Sequence, residues 1–267
     1  MTTATIKRSI ELFRAFRVEK ADPDRFYRLL AHDSVQQVAT HLNLEEKLVL
    51  DVGGGAGYFT NAFHEAGARC VLIEPHLPNG AAIDSFDGQG GAPADQNDNL
   101  FPEFGALATV ISDGYQLPFA ASTADVCFSS NVLEHVLQWR TMLAEMVRVT
   151  RPGGVIFVTF TNWLSPWGGH ETSPWHYLGG DRAARRYQRR HGRPPKNRFG
   201  SSLYPVSVAE ALRWARSADG AVLDDAVPRY LPAWTRPVLA IPGLREVVTW
   251  NLLLVLRRTR PAGRLTP

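Results

Sequence analysis

The sequence predicts an α/β fold of the doubly wound kind: a mostly parallel sheet with helices on both faces. Three observations point there. Leu48-Val49-Leu50-Asp51-Val52 reads as a buried strand, broken by Gly53, Gly54, Gly55 and Gly57 just before a helical pattern of Phe59, Ala62, Phe63 and Ala66. Short apolar runs of the same kind return at 68–74, 108–112, 124–131 and 155–160. Arg151-Pro152-Gly153-Gly154 then reads as a turn that ends the helix over 142–149 and feeds the last of those runs. A chain of 267 residues, 45% of them hydrophobic, is long enough for one large domain of this class, with or without a cap.

The elements follow in order. Ile6, Ile10, Phe13 and Phe16 recur at helical spacing, giving a first helix with one apolar stripe. Asp22-Pro23-Asp24 is a helix start: a capping carboxylate, a proline at the first position and an acid in the first turn. The helix it opens carries Phe26, Tyr27, Leu29, Leu30, Val35, Val38 and Leu42. Residues 1–45 therefore form a helical cap, and 46–267 the main domain. After the glycine turn, residues 68–74 make a second strand ending in Glu74, one helix away from Gly57, as a right-handed βαβ unit requires. Pro78 to Glu103 is rich in Gly, Asp, Asn and Pro and reads as a long surface excursion. Residues 108–112 are the third strand, followed by Asp113-Gly114 and Leu117-Pro118-Phe119. Residues 124–131 are the fourth, followed by Leu133-Glu134-His135 opening a helix.

The glycine turn is the most informative stretch. Backbone N–H groups face outward there and no side chain stands in the way, so a ligand can approach closely. The dinucleotide pattern G-x-G-x-x-G fails, because Tyr58 occupies the third glycine position counted from Gly53. The spacing that holds is D-x-G-x-G-x-G through Asp51, Gly53, Gly55 and Gly57. A carboxylate before the loop repels phosphate and suits an ammonium group. With Glu74, Asp113, the Glu134-His135 pair and the R-P-G-G turn in sequence, residues 48 to 160 resemble the class I S-adenosylmethionine-dependent methyltransferases, of the type 11-like kind.

That resemblance implies a Rossmann-like seven-stranded sheet in the order 3-2-1-4-5-7-6, closed by a hairpin whose last strand is antiparallel. It implies S-adenosylmethionine as cofactor, held by Asp51, Gly53, Gly55, Gly57, Glu74, Asp113, Gly114, Leu117 and Asn131. Glu74 takes the ribose hydroxyls, since a carboxylate offers two acceptor oxygens. Asp113 takes the adenine amino group, and Leu117 packs on the ring. It also implies leading helices that lie over the ligand cleft, within reach of substrate through Tyr27.

Beyond Phe160 the resemblance thins. Residues 161–204 read as a substrate-side insertion, aromatic first and basic after. Trp163, Trp167, Trp175 and Tyr177 interleave with His170, Glu171 and His176. Such rings bury themselves against a sugar or flat phenolic acceptor, or against the leading helices. Trp163, Trp167, Glu171 and Trp175 are the substrate-binding candidates. His135, His170 and His176 are the candidates for removing an acceptor proton, and His135 is equally suited to holding its loop by hydrogen bonds. His170, Glu171 and His176 have no recognised zinc spacing, so no metal is expected. Residues 181–200 hold seven arginines and Lys196 against Asp181, an attraction for phosphate on a substrate, lipid surface or nucleic acid. No RNA-binding signature accompanies them, which makes nucleic acid the weaker option.

A helix from Ser207 to Arg216, a strand over 221–227, an aromatic connection over 228–244 and a final strand over 249–258 complete the chain. Leu252 to Leu256 has a membrane-surface helix as its alternative, too short to span. Cys70 and Cys127 sit in apolar runs as buried free thiols, and no signal-like stretch opens the chain, so a cytoplasmic location, peripheral to a membrane at most, is expected. The functional expectation is methyl transfer to an oxygen or carbon of a small molecule of sugar, lipid, quinone or phenol type. An RNA or protein methyltransferase docking through the arginines is one alternative, and a non-catalytic donor-binding module the other.

Overall fold

The computed structural model describes residues 5–19, 21–75 and 108–259. The expected excursion over 78–103 lies outside them. Seven strands form one sheet in the order β3-β2-β1-β4-β5-β7-β6. These are β1 (Leu48–Val52), β2 (Arg69–Glu74), β3 (Ala108–Ile111), β4 (Ala124–Ser130), β5 (Thr150–Thr161), β6 (Ala221–Pro228) and β7 (Asn251–Arg258). β1 to β5 pair in parallel, and β7 runs antiparallel to both β5 and β6. The chain therefore reverses direction across the sheet between β1 and β4, the switch point at which open α/β sheets place ligands.

The alternation of side chains along the strands makes two cores. On one face, Val49, Val126, Phe128, Val155 and Phe157 pack under α1 (Ile6–Val18), α2 (Pro23–Ala39) and α3 (Tyr58–Glu65). Phe128 is the hub, with ring centroids 5.1 Å from Phe59, 5.0 Å from Phe63 and 5.2 Å from Phe157. On the other, Leu50, Val52, Cys127, Ile156 and Val158 pack under α4 (Trp139–Val149) and α6 (Val208–Arg216). The leading helices thus complete one face of the domain. α2 opens as expected, with the Asp22 carboxylate accepting from Arg25 N at 3.1 Å and Pro23 at its first position.

Two expectations need correcting, and one alternative falls away. Arg151-Pro152-Gly153-Gly154 is not a turn outside the sheet: β5 starts at Thr150 and absorbs it as a register shift against Ala124–Val126. Glu134-His135 does not open a helix. Leu133–His135 is a single 3-10 turn, and α4 begins at Trp139. Leu252–Leu256 is no membrane-surface helix either, being a fully buried strand between β5 and β6. Both cysteines are buried and free. Among the described residues no helix is long and apolar enough to cross a membrane.

Candidate functional site

The glycine turn joins β1 to α3 at the carboxyl edge of the sheet. Gly53 has φ of +77°, and a Cβ there would stand 2.6 Å from a methyl of Val132, at the end of β4. Only glycine lets these two strand ends close up. Gly55 has φ of +56°, and no atom of the described residues lies within 4 Å of where a Cβ would point, so its face is open to a ligand. Gly57 also has positive φ, at the N-cap of α3.

Glu74 reaches back from the end of β2, and its carboxylate accepts the Gly55 N–H. Burial raises its pKa, and that backbone bond pulls it down. Asp51 lies under the loop at 1% exposure. Its Oδ2 accepts from the Thr60 hydroxyl at 2.6 Å, and Oδ1 has no hydrogen-bond partner among the described residues. Burial pushes its carboxyl up to about 7, with the Thr60 bond opposing. Asp51 therefore shapes the loop from beneath rather than presenting itself on the surface.

At the next strand end, Asp113 Oδ1 accepts from Tyr115 N at 2.9 Å, while Gly114 N donates to Ser112 Oγ. Leu117 departs from expectation: at 2% exposure it belongs to the core and cannot line an open cleft. Its backbone is clamped by α4, where Glu145 accepts from Leu117 N and Arg148 donates to Leu117 O, both at 3.0 Å. Asn131 follows β4 with φ of +59°. Its side-chain oxygen accepts from Asn251 at 2.7 Å, which ties it to β7 rather than pointing it at the glycine loop.

Directly beyond Val132 lies a polar cluster assembled from two distant segments. Glu134 is 1% exposed; Oε1 accepts from Thr161 N at 3.0 Å, and Oε2 is buried without a partner among the described residues. His135 Nδ1 is 2.7 Å from the carbonyl of Ser202, so Nδ1 is the donor, and in the neutral ring Nε2 is the nitrogen with the free lone pair. His170 brings its ring centroid to 5.1 Å from that of His135. Its Nε2 is buried without a hydrogen-bond partner among the described residues, and burial holds its pKa below the ordinary histidine value. One ligand atom from each of Glu134, His135 and His170 lies within 4.8 Å of the others.

The remaining sequence candidates disperse. His176 is no proton acceptor for a substrate. It is 1% exposed, with Nε2 3.1 Å from Ser165 O and its ring against Trp163 and Tyr177. Glu171 accepts twice from Asn197 at 3.1 Å, so His170, Glu171 and His176 do not converge. Trp167 sits edge-on between Phe16 and Trp250, joining the insertion to α1. Tyr27 stacks on Tyr58 with its hydroxyl donating to Glu19, and lies against α3. Burial raises its pKa.

Trp175 is partly exposed and carries Arg186 over its ring at 3.8 Å. Trp163 and Phe199 line a cavity of about 370 Å³ with Leu178, Asp181, Arg182 and Arg185, the arginines coming from α5 (Gly180–His191). Glu134 carries no role in the sequence reading beyond its place before His135. Its sequence signal is weak, because only the fold brings Thr161, Ser202 and His170 around it.

Residues 50–158 match a methyltransferase domain family. An uncharacterized methyltransferase from Mycolicibacterium gilvum is 48% identical over 263 residues, covering 96% of each chain. Another from Mycobacterium tuberculosis is 44% identical over 260 residues, covering 95% of each. Among solved structures, an S-adenosylmethionine-dependent methyltransferase from Mesorhizobium loti superposes with a TM-score of 0.52 at 16% identity, over 85% of this chain and 98% of that one. Strand order, glycine loop and near full-length relatives agree: the chain belongs to the class I S-adenosylmethionine-dependent methyltransferases.

Proposed function

We propose that the protein methylates an oxygen of a small-molecule acceptor held between the end of β4 and the 161–204 insertion. The observation that carries this reading is the Glu134–His135–His170 cluster, its carboxylate buried and its histidines partly so, placed just past Val132, which touches the glycine loop. The residues present fit S-adenosylmethionine. Gly55 leaves its face bare, Glu74 offers acceptor oxygens beside it, and buried Asp51 Oδ1 lacks a partner. Bound there, the cofactor supplies an electrophilic methyl group on a sulfonium.

The protein's own tasks are placement and proton removal. Rigid placement of the acceptor in line with the methyl group is worth on the order of 7–11 kcal/mol of the barrier. Proton removal falls to the cluster, where burial keeps His170 neutral and able to accept. Rings of Trp163 and Trp175 suit a sugar or phenolic acceptor, and Arg182 and Arg185 suit one bearing a negative group. Labelled donor incubated with the protein and separated sugar, lipid, phenol, RNA and protein fractions tests this. Label in a small-molecule fraction is the expected result, and label in protein or RNA alone would overturn it. The second reading, docking of a macromolecular anion, rests on the arginine-lined face of α5 and predicts binding that falls steeply with salt.

A further inference from the structure

We propose that Glu134, His135 and His170 form a binding site for a divalent transition-metal ion. Four features of the cluster support it together. The three ligand atoms lie within 4.8 Å of one another, against about 3–3.5 Å between ligands of a tetrahedral ion, so small side-chain adjustments close the site. Two of the polar atoms, Glu134 Oε2 and His170 Nε2, are buried with no partner among the described residues, a costly state that a cation would relieve. His135 is already in the tautomer a ligand needs: its Nδ1–H is taken by the Ser202 carbonyl, the outer bond that orients metal-bound imidazoles. Glu134 is likewise braced through Oε1 by Thr161 N, which leaves Oε2 without a partner among the described residues.

His170 adds a separate sign. Its backbone lies in the left-handed region at φ of +48°, uncommon for a residue with a side chain, and that conformation accompanies the approach of its ring to His135. Two imidazoles and one carboxylate select a borderline ion of the zinc, iron(II) or cobalt(II) kind, since calcium, magnesium and manganese(II) favour oxygen-rich sites. Three protein ligands leave coordination positions open for an acceptor oxygen. With the ion bound, His170 Nε2 is a ligand and no longer a base, and the ion would take over its task by lowering the pKa of an alcohol or phenol as it approaches the methyl donor. In the transfer, the acceptor oxygen bonds to the methyl carbon, the carbon–sulfur bond breaks with its electron pair going to sulfur, and the acceptor's proton leaves to solvent. This last role rests on the methyl-transfer reading above; metal binding itself does not.

The test is a zinc titration of the chelator-stripped full chain against a chromogenic chelator, repeated with cobalt(II) followed by its visible absorption. One equivalent is expected to bind. Glu134→Gln keeps the acceptor for Thr161 N and removes the charge, and His170→Asn suits the left-handed backbone; each is expected to weaken binding roughly 10-fold or more. Binding well below one equivalent, or binding that neither variant changes, would overturn the site. Should both variants fail to fold, the wild-type chain decides: zinc is expected to protect His135 and His170 from carbethoxylation, read peptide by peptide, and no protection would overturn it. Donor titration on the same stripped protein separates the two readings. Metal uptake without donor binding removes the methyl-transfer reading and leaves the site; donor binding without metal uptake removes the site alone.

Discussion

The proposed donor and acceptor sides are built by different means. On the proposed donor side, one local stretch of backbone does most of the work: Gly53, Gly55 and Gly57 at positive φ, braced by Glu74 and Asp51. On the proposed acceptor side, side chains from distant segments meet: His135 with His170, with Trp163 against His176 and Trp167 against Trp250 packing the insertion behind them. A site made of backbone has few ways to change. A site made of side-chain meetings can change its ligand one residue at a time while the donor half stays intact.

That contrast breaks most visibly at Gly53. Gly53→Val adds the left-handed penalty to the collision with Val132, a combined cost of about 3 kcal/mol, or roughly 100-fold in donor affinity by calorimetry. Gly55→Ala meets no neighbour among the described residues but puts its methyl on the face left open to the donor, so donor affinity should fall by at least the conformational part, about 1–2 kcal/mol or roughly 10-fold.

Asp51 gives the next effect, in stability. Its carboxyl holds a proton up to about 7 in the folded chain, against an ordinary value of 3.8, so the folded state binds the extra proton in that window. Stability therefore falls as pH rises from about 4 to about 7, and Asp51→Asn should flatten that slope in denaturant titrations. Glu74→Gln, by weakening both its hold on Gly55 and its acceptor strength, should cost about 10-fold in donor affinity while the melting temperature stays near wild type. The smallest effect belongs to the acceptor side. Arg186→Ala removes an exposed cation over Trp175, worth about 0.5–1 kcal/mol in thermal stability, and should leave donor affinity unchanged.

The same contrast explains what could be read in advance. The glycine spacing, the acid ending β2 and the Asp22-Pro23 helix start are local rules of backbone chemistry, visible in a few consecutive residues. Leu117 and His176 carry no such mark. Their side-chain types fit a ligand as well as a core, and only the packing of α4 and of the Trp163 ring decides for the core. The R-P-G-G stretch misleads for a related reason: the rule that glycine and proline end elements is local, whereas the register shift against Ala124 that keeps them in β5 comes from a neighbouring strand. Glu134 and His170 are far apart in sequence, so no spacing rule connects them.

The leading helices have a consequence for how this chain can be divided. Leu12, Phe26, Leu30 and Val38 share one apolar cluster with Val49, Phe128 and Phe157, and Arg229 donates to Ser34 on α2 as well as to Ser130 and Thr159 at the ends of β4 and β5. Segment swapping between relatives must therefore carry α1 and α2 together with the matching positions of the sheet. A chimera joined at residues 40–45 inherits two halves of a mismatched interior, whereas exchange of the 161–204 stretch asks chiefly that Trp167 still meet Phe16 and Trp250.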